Sequence, residues 1–165
     1  MNFSERHLLD KPFVLVMIGG LLAATLDIVY ACAFWAIQAE VPPSRIFQSV
    51  ASGLLGESSF EGGNGTAALG FLLHYLIVLA MALAYYLVAR RLPPISRRWL
   101  LAGAGYGLLL YAVMQYIVVP LSRAGGGPQD HLWVTLSIAA HALLVGIPIA
   151  FFGSRAIERP VPART

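Results

Sequence analysis

Four blocks of apolar residues divide the chain, and their lengths set the fold. They cover residues 12–38, 66–89, 99–121 and 132–153. Each is near or above the roughly 20 residues that an α-helix needs to cross about 30 Å of hydrocarbon. The first is also too long for the roughly 7–15-residue core of a signal peptide, so it reads as a retained helix. The pattern predicts one all-α domain over 1–165, a polytopic membrane protein with four transmembrane helices in an up-down bundle.

The connections differ in kind. Residues 90–98 (RRLPPISRR) read as a tight basic turn and residues 122–131 (SRAGGGPQDH) as a flexible one. The 39–65 link is longer. Pro42-Pro43-Ser44 suits a helix start. Ile46, Phe47, Val50, Ala51, Leu54 and Leu55 then follow helical spacing against polar Arg45, Gln48, Ser49 and Ser52. Residues 44–55 are too few to span, so a short amphipathic helix is expected to lie in the interface or cap the bundle. Residues 56–65 (GESSFEGGNG) read as a loop.

Composition agrees with this layout. Hydrophobic residues make up 58% and charged residues 12%, against about 25% charged in soluble domains. The basic residues flank the apolar blocks, which fits a lipid surface and argues against nucleic acid. Nine lie in the N-terminal segment (Arg6, Lys11), the 90–98 turn and the tail (Arg155, Arg159, Arg164); only Arg45 and Arg123 lie opposite. That bias places both termini in the cytoplasm. Trp35, Trp99 and Trp133 near helix ends are expected in an aromatic belt, and His7 and His131 at the solvated surface. Cys32 is the single cysteine, so it forms no intramolecular disulfide.

Candidate chemistry lies inside the helices. Ionisable groups in hydrocarbon are costly, which makes Asp27, His74 and His141 candidate site residues, with the amide of Gln115 beside them. At about 1.5 Å per residue they sit roughly 15, 11, 14 and 9 Å from the outer ends of their helices. One polar residue per helix thus falls in a common layer on the outer side of the midplane. Gly20, Ala23, Ala24 and Ala31 share the face of Asp27, and Gly103-x-x-x-Gly107 supplies a second stripe of small residues, so Gly20, Ala24, Gly103 and Gly107 are expected helix-packing positions. The layer admits several readings: packing glue, a proton or ion relay, a ligand pocket, or ligation of haem b or a transition metal by His74, His141 and Asp27. The usual short metal-ligand spacings are missing, and no cofactor is expected. The layout also suggests a tandem duplication pairing Asp27 with Gln115, His74 with His141 and Arg90 with Arg155. In a sequential bundle this places His74 diagonally across from His141.

The stretches RIFQSVASGLLG and ALGFLLHYLIV, and the run from RRLPPISRRWLLAGAGYG through VVPL to HALLVGIPIAFFGSR, resemble small four-helix bacterial inner-membrane proteins, the YagU-like proteins in particular. The resemblance covers most of residues 12–155 and matches the 39–65 link poorly. It implies a four-helix inner-membrane protein connected with acid tolerance, and brings no catalytic motif. No nucleophile elbow, phosphate loop, zinc motif or carboxylate pair points to an enzyme. The expected role is a non-enzymatic binding, accessory or stress-related component, with the bilayer and a homo-oligomer or membrane-complex subunit as partners. The alternatives are a small transporter or proton-handling protein using Asp27, His74 and His141, and a haem- or metal-binding membrane protein.

Overall fold

The computed structural model describes residues 12–126 and 130–158. His7, Arg6, Lys11, Arg159 and Arg164 lie outside the described residues, so the charge reading there rests on sequence. Among the described residues the chain is helical, without strands. Helices α1 (Pro12–Ala39), α2 (Pro43–Leu55), α3 (Gly63–Ala89) and α4 (Pro93–Arg97) are followed by two long helices, α5 (Trp99–Leu121) and α6 (His131–Glu158). Four of them, α1, α3, α5 and α6, are long and apolar enough to cross a membrane.

Local chemistry explains most of the boundaries. α1 stops where Glu40 adopts a left-handed φ of 52°, a conformation that ends helices because it turns the next amides back onto the last turn. α2 and α4 both begin on a proline, whose missing N–H costs nothing in a first turn. α6 starts behind Asp130, whose carboxylate accepts from the Trp133 backbone N–H at 2.7 Å. The 56–65 segment is more ordered than a loop. Gly56–Phe60 forms a 3₁₀ turn, and α3 begins at Gly63, three residues before the apolar block. A small-residue run without proline can extend a helix even where it contributes no apolar face.

Both later helices contain one wider, π-type turn, Met114–Val118 in α5 and His141–Gly146 in α6. Each lies just ahead of a proline, Pro120 and Pro148 respectively. A proline ring inside a helix removes one N–H and crowds the carbonyl four residues back. Loosening the preceding turn relieves that crowding.

Small residues set the packing. Gly20 of α1 faces Leu79 and Ala82 of α3, and Gly19 faces Phe152 of α6. Gly103 and Gly107 of α5 meet Gly146 and the His141–Ala142 backbone of α6, so those two helices touch backbone to backbone. In each of these pairs the two helices run in opposite directions. α1, α3 and α6 pack on one another, whereas α5 packs chiefly on α6. Only 11% of the apolar window of α5 is buried, against 28–33% in the other three long helices. The tie from α5 to α3 is by side chain: Tyr106 Oη donates to the Met81 carbonyl at 2.8 Å and its ring packs against Tyr85. The outward surface is apolar, with Leu101 72% and Leu121 82% exposed. α2 lies against α3, with Gly70 directly under the Phe47 carbonyl.

Candidate functional site

The site forms beside the second half of α1. Up to Ala24 the small face of α1 is fully buried against its neighbours. One turn later Asp27 and Ala31 face a half-enclosed cleft of about 570 Å³, within the roughly 300–1,000 Å³ of ligand pockets. Asp27, His74 and His141 all line it, from three different helices. α2 roofs it through Arg45, Ile46, Ser49 and Val50, and the 122–126 segment closes one edge. That roof is tied down. The Arg123 amide donates to the Gly53 carbonyl at 3.0 Å, and Gln48 donates to the Gly63 carbonyl at 3.0 Å.

Hydrogen bonding fixes the proton positions on both imidazoles. Carbonyl oxygens only accept, so a ring nitrogen bonded to one must carry hydrogen. His74 Nε2–H donates to the Ala24 carbonyl of α1 at 2.9 Å, and the ring is 8% exposed. His141 Nδ1–H donates to the Ser137 carbonyl of its own helix at 2.9 Å. Each neutral ring keeps one lone pair, on Nδ1 of His74 and Nε2 of His141. The Asp27 carboxylate stands 4.0 Å from His141 Nδ1, beyond a hydrogen bond but inside the range of a charge contact. Both side chains are about one-fifth exposed, towards the cleft.

Aromatic rings form the wall between α1 and α6. Tyr30 stacks on Trp133 with centroids 5.5 Å apart and planes within 6°, and Trp35 packs against Trp133 at 5.3 Å. Tyr30 Oη also reaches Ser137 Oγ at 3.3 Å. Trp35 and Trp133, expected from sequence in an aromatic belt, therefore join each other at the cleft; Trp99 instead packs on Phe151 at the opposite end. At the rim, exposed Arg45 lies 4.3 Å over the Phe60 ring and donates to the Phe60 carbonyl at 3.5 Å.

Gln115 stands apart from the layer that sequence reasoning assigned to it. It is partly exposed, and it does not line the cleft. It lies near the start of the π turn, four residues past Tyr111. Tyr111 represents α5 instead, edge-on to His141 with centroids 5.3 Å apart. The two halves of the suggested duplication also differ in role, since His74 bonds to a neighbouring helix and His141 to its own. Nor do Asp27, His74 and His141 form a metal set: among the described residues no three His, Cys, Asp or Glu side chains converge as ligands.

Sequence reasoning missed the aromatic wall and Arg45 as parts of the site. The signal was present for Tyr30, three residues from Asp27 and thus on a neighbouring face. For Arg45 and Trp133 it was not, because both reach the cleft through tertiary packing. Comparison with family models, curated proteins and solved structures gave no match.

Proposed function

We propose that this chain is an integral protein of the bacterial inner membrane that binds a small molecule in the cleft beneath α2. The observation that carries the reading is one half-enclosed cleft to which three helices each bring an ionisable side chain, under a roof from a fourth. Intramembrane ionisable groups that face a cavity mark binding or conduction sites more often than packing sites. In the membrane frame the four long helices run up and down. The end bearing Arg90, Arg91, Arg97, Arg98 and Arg155 faces the cytoplasm with both termini, and the cleft opens towards the outer side. The role is non-enzymatic, in keeping with the resemblance to the YagU-like proteins. A proton-handling role is the second reading, favoured by the 4.0 Å approach of Asp27 and His141.

Labelling tests the cleft. Cysteine is placed at Ala31, a lining residue, with Cys32 changed to serine. A water-soluble maleimide added outside intact cells is expected to label it, and Ser49→Trp in the roof is expected to suppress labelling. An Ala31→Cys protein that reacts only after detergent solubilisation would rule out an open cleft on that side.

A further inference from the structure

The chemistry lining the cleft narrows the ligand class, on the premise that the cleft is a binding site. The Asp27 carboxylate receives no hydrogen bond from any described residue, and its nearest basic atom is His141 Nδ1 at 4.0 Å. That nitrogen already spends its hydrogen on Ser137. In the neutral rings the free nitrogens, His74 Nδ1 and His141 Nε2, are acceptors as well. The cleft therefore holds a carboxylate in need of donors, and neither imidazole has a hydrogen to spare for it. The rings of Tyr30, Trp35 and Trp133 line the same cleft. Arg45 is the one permanently charged cation among the described lining residues. It sits exposed at the rim, already held over Phe60 and its carbonyl.

We infer that the cleft takes an apolar amine in its ammonium form, with an N–H donor on Asp27 and the hydrocarbon body against the aromatic wall and the apolar roof. An ammonium satisfies the Asp27 carboxylate in both charge and hydrogen bonding. A carboxylate or phosphate meets repulsion from Asp27. A neutral alcohol satisfies one acceptor and leaves the carboxylate uncompensated.

The test compares three probes on the same phenylbutyl body, 4-phenylbutylamine, 4-phenylbutanol and 5-phenylpentanoate, by calorimetry on full-length protein in lipid nanodiscs, with empty nanodiscs subtracted. The amine is expected to bind at least tenfold more tightly than the alcohol, and the carboxylate most weakly. Asp27→Asn is expected to weaken the amine at least tenfold and leave the alcohol within about twofold, with its thermal unfolding midpoint unchanged. Asp27→Ser serves as a second variant should the asparagine protein fail to fold, and is expected to weaken the amine more than the alcohol through loss of the carboxylate charge. Equal binding of amine and alcohol, or an amine affinity indifferent to both substitutions, overturns the ammonium inference alone. Failure of all three probes to bind overturns it too, and with a maleimide-inaccessible position 31 it takes the binding reading down as well.

Discussion

Replacing Gly146 by alanine places a methyl carbon where the backbone of α5 already lies. The new Cβ would stand 2.6 Å from the Gly107 nitrogen and 2.8 Å from its Cα, and closer still to the Gly103 carbonyl oxygen. Apolar atoms rest about 3.5–4.0 Å apart, so α5 and α6 must separate by about 1 Å. A gap of that size forfeits about a quarter to a half of the dispersion energy at each facing contact. Overpacking of this kind costs about 1–3 kcal/mol. The upper end applies because all three obstructing atoms are backbone and none can swing aside as a side-chain tip does. About 3 kcal/mol is a large share of a total stability of roughly 5–15 kcal/mol. Gly105→Ala is the control: Gly105 lies on α5 between the two contact glycines, yet its added methyl would meet nothing within 4 Å, and removing a helical glycine is neutral or stabilising by up to about 1 kcal/mol. Steric-trapping measurements of unfolding in bicelles give both values. A Gly146→Ala protein within about 0.5 kcal/mol of the parent, or one no worse than Gly105→Ala, refutes backbone contact between α5 and α6.

Other outcomes follow from single contacts. Tyr106→Phe removes the hydroxyl bonded to the Met81 carbonyl, the side-chain tie between α5 and α3, and should cost about 1 kcal/mol in the same assay. Gln115→Leu should be silent in stability and in amine binding, since Gln115 makes no described side-chain hydrogen bond and does not line the cleft; a loss of either would restore it to the polar layer. Cysteines at exposed Ser58 and Arg91 should react with an impermeant thiol reagent from opposite sides of the membrane, and labelling of both from outside would overturn the assigned orientation.

The parts of the fold set by local pattern were legible in the sequence. Apolar block length gave the four long helices, and the spacing of Ile46, Phe47, Val50 and Leu54 gave α2, which runs Pro43–Leu55. Gly103 and Gly107 were readable as a close-approach stripe because they repeat at one turn. What escaped were features that depend on a neighbour or on a break in the 3.6-residue period. The π turn ahead of Pro120 was not readable, and Gln115, assigned to the polar layer, does not line the cleft. Helix α3 packs directly on α6, and α5 chiefly on α6, a contact set that the diagonal placement of His74 and His141 did not include. Arg45, counted from sequence only as an outer charge, reaches the cleft because α2 folds back over it.

Both the binding and the proton-handling readings require that Asp27, His74 and His141 share a cleft that water enters within the depth of the bilayer. Spin labels at positions 29 and 31, in a Cys32→Ser background and reconstituted in lipid, probe that requirement. The two sites differ in depth by only about 3 Å. Val29 is 58% exposed on the outward surface, whereas Ala31 lines the cleft. Collision rates with a water-soluble nickel complex and with oxygen separate aqueous from lipid surroundings. The nickel-to-oxygen ratio is expected to be several-fold higher at position 31 than at position 29. Equal ratios, both at the lipid-facing value, would exclude a water-filled cleft at that depth.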